Sequence, residues 1–114
     1  MNKTIAIKVN GVDHEVTIAP RVTLIEILRD HLHLTGTKLG CDQEVCGTCT
    51  VLLDDLPVSS CSVLGVDADG CQILTIEGLA TNGNLHPIQQ AFIEKGAFQC
   101  AFCTPGMIMA VKAL

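Results

Sequence analysis

Tryptophan and tyrosine are absent from this chain of 114 residues, and phenylalanine occurs only three times. A core can therefore be built only from aliphatic side chains, which the 48% hydrophobic content supplies in ample amount for one small fold. Lysine and arginine are also scarce. Seven basic residues face twelve acidic ones, a formal net charge of −5, and they are scattered singly along the chain. That leaves no basic footprint for nucleic acid, whose binding is not expected. Long apolar runs are missing as well: none approaches the roughly 20 residues that cross a bilayer. The opening stretch, MNKTIAIKVNGVDHEV, turns polar at its second residue, so neither a signal peptide nor a membrane span is expected and the chain is assigned to the cytoplasm.

Cysteine is the exception to this scarcity, with seven in the chain. In a reducing compartment disulfides are rare, and an odd total leaves at least one thiol unpaired in any disulfide framework. Metal ligation is the leading explanation, and spacing decides between the possibilities.

Hydrophobic patterning locates the cysteines within a fold. Thr4 to Val9 alternates apolar and polar, Asn10-Gly11 is a tight-turn dipeptide, and Glu15 to Ile18 alternates again, which predicts an opening β-hairpin. Pro20 closes it, and Thr23 with Glu26 forms a capping-box pattern ahead of Leu24, Ile27, Leu28 and Leu32, predicting a helix of two to three turns. Thr35 to Gly47 carries glycines at 36, 40 and 47 without periodicity and reads as a loop. Strands are expected at Thr50 to Leu53, Leu56 to Ser59 and Gln72 to Ile76, with Asp54-Asp55 as a turn. Strands flanking one helix indicate a small α+β domain over residues 1–78. A polar linker, Thr81 to Asn84, then leads to two helices, one opened by His86-Pro87 and ended by Gly96, the other opened with Thr104 as N-cap and Pro105 in its first turn. Residues 79–114 thus read as an incomplete helical domain, whose last helix meets the terminus without a stop signal.

Cys41, Cys46 and Cys49 form a C-x4-C-x2-C run, with Cys61 following after two short strands, the plant-type [2Fe-2S] spacing. Each iron of such a cluster needs two bridging sulfides and two thiolates, so one tight loop supplies three ligands and a distant residue the fourth. Gly40 and Gly47 suit a loop that must turn sharply around a negative cluster and direct backbone N–H groups at sulfur. Structural zinc competes for four thiolates but usually takes them from two short cysteine knuckles, whereas here the second half is a single residue. Cys100 and Cys103 form a further C-x2-C just ahead of the last helix. By itself that pair fits half a zinc site, a redox pair or half a cluster site. Cys71 is left over and reads as an ordinary thiol. His14, His31, His33 and His86 show no ligand-like grouping, and no Ser-His-Asp order, phosphate-binding glycine loop or paired-carboxylate constellation is present. No catalytic residue is expected.

The segments GTKLGCDQEVCGTCTVLLDDLPVSSC, TIEGLA and QCAFCTPGMIM, in that order, resemble the iron–sulfur subunits of the molybdenum hydroxylases, the xanthine dehydrogenase, aldehyde oxidoreductase and carbon monoxide dehydrogenase group. The resemblance implies a plant-type ferredoxin-like β-grasp domain carrying one [2Fe-2S] cluster, followed by a small all-α helical bundle domain carrying a second. It assigns the first cluster to Cys41, Cys46, Cys49 and Cys61, half the ligands of the second to Cys100 and Cys103, and a contact with the pterin of the molybdenum cofactor to Gln99. Family members supply two further cysteines beyond the last helix present here, so the second cluster needs thiolates from outside these residues. The resemblance also implies a molybdopterin-binding large subunit and an FAD-binding subunit as partners, with this chain relaying electrons between their cofactors. A stand-alone plant-type [2Fe-2S] ferredoxin and a structural zinc module are the alternative readings.

Overall fold

The alternation at the start of the chain builds a hairpin of β1 (Lys3–Val9) and β2 (Val12–Ile18), paired antiparallel from Lys3↔Ile18 to Val9↔Val12. Asn10 and Gly11 both have positive φ, 52° and 82°, the backbone twist that two-residue hairpin turns require. Ile5, Ile7 and Val9 on β1 and Val16 and Ile18 on β2 point to one face and are buried there. The computed structural model describes all residues, 1–114.

That face is covered by α1, residues 24–31, in which an α turn at Leu24–Glu26 continues as a π turn at Ile27–His31. Glu26 Oε1 accepts from the Thr23 backbone N–H at 3.3 Å and from its hydroxyl at 3.0 Å, so the expected capping residues do open the helix. Leu24, Ile27 and Leu28 are fully buried against the sheet, each such side chain contributing about 1.5–3 kcal/mol. The wider last turn is seen in the Leu32 N–H, which donates to the Ile27 carbonyl at 2.9 Å. Arg29 then ties the helix to the following loop by donating to the carbonyls of Thr35 (2.8 Å) and Thr37 (2.9 Å).

A second hairpin, β3 (Thr50–Leu53) and β4 (Leu56–Ser59), and the short β5 (Gln72–Leu74) complete a five-stranded mixed sheet in the order β2-β1-β5-β3-β4. β5 runs parallel to β1 and antiparallel to β3. The sheet with one helix laid across it is an α+β, β-grasp arrangement. Asn10 locks β1 to the end of β5: its side chain donates to Thr75 Oγ1 at 2.9 Å and accepts from the Thr75 N–H at 2.9 Å.

The opposite face of β3 and β5 is also covered. α3 (Thr104–Lys112) lies on it, with α2 (Pro87–Glu94) beside it, and Leu52, Leu79, Ile108 and Met109 form a second core joined by Leu74, Ile88 and Phe92. Burial on both faces explains why β3 reads as an apolar run, with Val51 and Leu52 both inside, instead of alternating.

Four local expectations are refined by the structure. The strand expected at Gln72 to Ile76 stops at Leu74, because Ile76–Gly78 turns into a 3-10 helix. β2 begins three residues earlier than its alternation suggests, since tight pairing across the turn extends to Val12. Thr81 to Asn84 is a closed tight turn, each of those two residues donating to the other's carbonyl at 2.9 Å. α3 has Cys103, not Thr104, as its N-cap, which puts Pro105 second in the helix.

Candidate metal centre

The β3–β4 turn sets the first pair of thiols. Asp54 and Asp55 have φ of 49° and 68°, making a two-residue turn that fixes the register as Leu53↔Leu56 through Thr50↔Ser59. Continuing that register past the strand ends sets Cys49, just before β3, opposite Ser60, with Cys61 the next residue after it. Ser60 holds them there: its hydroxyl donates to the Cys49 carbonyl at 2.7 Å, and its own carbonyl accepts from the Ile25 N–H at 3.1 Å. Cys49 and Cys61 are buried and pack with Ile25 of α1.

The second pair comes from the loop 40–48, where Asp42, Glu44 and Gly47 all take positive φ (57°, 61° and 73°) and curl the chain. The Cys41 sulfur accepts three backbone N–H groups, from Gln43 at 3.4 Å, Val45 at 3.3 Å and Cys46 at 3.3 Å. The Cys46 sulfur accepts the Thr48 N–H at 3.5 Å. A ring of amides aimed at sulfur is a site for anionic thiolate. Led by the Cys46 amide, these donors lower the Cys41 thiol from 9.0 to about 7, with the neighbouring Cys46 thiol adding to the effect. Burial pushes the Cys61 thiol up, and the adjacent Cys49 and Cys41 charges push the same way, while the Glu44 amide opposes them.

The two glycines singled out from the sequence both lie in the curl of this loop. The donors to the Cys41 and Cys46 sulfurs are Gln43, Val45, Cys46 and Thr48. Gly40 has no room for a side chain, since a Cβ there would lie 2.9 Å from Cys46 Sγ. Gly47 supplies a positive φ, and its carbonyl accepts the Thr50 hydroxyl at 2.6 Å.

These features fit a binuclear cluster. Cys41 sits with Cys46 and Cys49 with Cys61, each close enough to affect the other's ionisation, and the Cys41 charge reaches Cys61 across the pairs. When bound, a [2Fe-2S] cluster supplies one-electron chemistry. The residues that would hold it are Cys41 and Cys46 at a half-exposed edge and Cys49 and Cys61 in the core, with backbone amides placed to stabilise thiolate charge.

Cys100 and Cys103 are both exposed, in the connection between α2 and α3, where Ala101 has φ of 70°. With Gln99, Phe98 and Met107 they line a shallow hollow of about 390 Å³. Two thiolates fit half a cluster site and cannot complete one. Cys71 lies apart, immediately before the central strand β5 and beside the first hairpin, where burial foremost, with Asp54 and Asp69 nearby, raises its thiol. No helix is long and apolar enough to cross a membrane. Composition and spacing had not pointed to Thr48 or Gly106. A Cβ on Gly106 would lie 2.6 Å from the Gly47 carbonyl oxygen, so the start of α3 presses on the cysteine loop.

Comparison with known proteins agrees with this chemistry. A family model described as "2Fe-2S iron-sulfur cluster binding domain" matches residues 7–74, and one described as "[2Fe-2S] binding domain" matches residues 75–114. The chain is 50% identical to the 6-hydroxypseudooxynicotine dehydrogenase complex subunit beta of Paenarthrobacter nicotinovorans, covering 96% of this chain and 69% of that one. It is 46% identical to the aldehyde oxidoreductase iron-sulfur-binding subunit PaoA of Escherichia coli K12, covering 96% of this chain and 48% of the relative. It therefore spans about half to two-thirds of these relatives. Among solved structures, the quinoline 2-oxidoreductase of Pseudomonas putida 86 superposes with a TM-score of 0.95 at 42% identity, over 98% of this chain and 69% of that chain. The aldehyde oxidoreductase of Desulfovibrio desulfuricans gives 0.92 at 40% identity, over 97% of this chain and 12% of the other. Matched over residues 7–114 by these two [2Fe-2S] domain families, the chain belongs to the iron–sulfur subunits of the molybdenum hydroxylases.

Proposed function

We propose that this chain relays electrons within a molybdenum hydroxylase complex, from a molybdopterin site on a large partner subunit to FAD on another subunit or to another acceptor. The observation that carries the reading is the pairing of Cys41 with Cys46 and Cys49 with Cys61 inside a cradle of backbone amides. Those four thiolates hold the first [2Fe-2S] cluster, within a unit of residues 1–78. Cys100 and Cys103 provide half the ligands of a second, within residues 79–114, and thiolates from outside these residues complete it. Gln99, beside Cys100, faces the molybdenum cofactor of the partner. The complex works in the cytoplasm.

A half-exposed edge and a buried edge suit electron relay: the outer pair lets an electron cross to a docked partner, while the inner pair anchors the cluster in the core. Oxidation of substrate belongs to the molybdenum-bearing partner, and no group on this chain is arranged to make or break substrate bonds.

The test is iron and acid-labile sulfide per chain on anaerobically purified protein, with electron paramagnetic resonance of the dithionite-reduced form. About two irons and two sulfides with one rhombic signal support the N-terminal site; about four of each with two signals support both sites. Zinc without sulfide overturns the electron-transfer reading.

A further inference from the structure

The loop that carries Cys46 and Cys49 and the helix that follows Cys103 meet at one point. Gly106, in the first turn of α3, is buried, and a Cβ there would lie 2.6 Å from the Gly47 carbonyl oxygen, 2.7 Å from that of Thr48 and 2.8 Å from the Thr48 carbonyl carbon. All three atoms are backbone, so no rotamer change can relieve the contact. Alanine is the better helix former, so glycine in this turn is explained by the close approach and not by helix propensity. The same stretch of loop is bound to the other segment a second time, through the Thr48 hydroxyl, which donates to the Phe102 carbonyl at 3.4 Å next to Cys103. Thr48 also donates its N–H to the Cys46 sulfur, and it lies immediately before Cys49.

We propose that Gly106 is a positioning residue: by letting the first turn of α3 rest on the Gly47–Thr48 backbone, it fixes the segment that presents Cys46 and Cys49, and so couples the Cys100/Cys103 connection to the first metal centre. This rests on the reading of Cys46 and Cys49 as cluster ligands. The contact sits between the two cysteine sites, so a displacement at one is transmitted to the other through a single backbone-to-backbone surface. Interiors are close-packed and do not absorb such a displacement locally.

The experiment compares Gly106→Ala with Ile108→Ala in the full chain. Both weaken α3, but Ile108 belongs to the second core around Leu52 and Met109, whereas the atoms that meet Gly106 are the backbone of Gly47 and Thr48. Two readouts are taken: the visible circular dichroism and paramagnetic resonance of the reduced first cluster, and amide hydrogen exchange at residue 48. Gly106→Ala is expected to shift the cluster spectra and speed exchange of the Thr48 amide roughly tenfold, while Ile108→Ala leaves both as in the parent. Equal effects of the two substitutions, or none from Gly106→Ala, overturn the proposal. If the parent chain binds no [2Fe-2S] cluster, the ligand reading fails, and the exchange comparison in the iron-free chain decides the positioning role alone. Should Gly106→Ala fail to fold, Thr48→Val, which removes only the bond to Phe102, takes its place, and unchanged exchange and spectra overturn the coupling.

Discussion

Replacing Gly40 with alanine tests the cradle most directly. The added methyl would sit 2.9 Å from Cys46 Sγ and 3.0 Å from Thr48 Cγ2, where unstrained contacts between such atoms lie at about 3.5–4.0 Å. Each neighbour must therefore yield by about 0.5–1 Å. A free cysteine could turn aside, but Cys46 is held by the Thr48 amide and, as the ligand proposed above, would be held by iron as well. Overpacking of this size costs about 1–3 kcal/mol, which is about 5- to 150-fold in the equilibrium for retaining the cluster. The assay is iron and sulfide per chain together with the rate of iron release to a chelator. Gly11→Ala is the control: φ there is +82° with nothing within 4 Å of the new methyl, so it lowers global stability by about 1–2 kcal/mol and leaves iron release unchanged. Parent-like iron content and release in Gly40→Ala would falsify the steric reasoning. Equal release from both glycine variants would show that loss of iron tracks overall stability and not the loop.

Other substitutions separate ligands from bystanders. Cys46→Ser should remove the visible spectrum of the first cluster, and a parent-like spectrum would rule Cys46 out as a ligand. Cys71→Ser should change neither iron content nor spectrum, because its thiol lies by Asp54 and Asp69 at the other end of the sheet; lost iron would mean that Cys61 is not the fourth ligand. Met109→Ala opens a cavity in the second core, where Met109 is 1% exposed, and should lower unfolding stability by about 2–5 kcal/mol in denaturant titration. A loss below about 1 kcal/mol would show that the α3 core is not packed as described.

The first half of the fold was legible because its signals are local. Asn10-Gly11, the Thr23 and Glu26 pair and Asp54-Asp55 each dictate a turn or cap from neighbouring residues alone, and each appears in the structure. β5 was legible as a strand but not as the partner of both β1 and β3, since pairing between distant segments leaves no periodic trace. The π turn that ends α1 likewise had no signal. The cysteine spacing predicted a binuclear site in this loop, yet which thiol stands beside which depends on the hairpin register and on the curl made by Asp42 and Glu44, non-glycine residues at positive φ. That Gly40 stands against Cys46 and Thr48 left no trace in the sequence for the same reason: what a glycine permits depends on what lies opposite it.

From the sequence alone came the chemistry: thiol number and spacing, an aliphatic core, an acidic surface and the absence of any bond-making constellation, all properties of residue identity and short-range order. Only the tertiary structure decided the arrangement, namely that two thiols are buried and two lie toward solvent, that amides of residues 43, 45, 46 and 48 face the sulfurs, and that Gly106 brings a distant helix onto the loop. The physical reason is that charge stabilisation and close packing act through space, between atoms the chain order keeps apart.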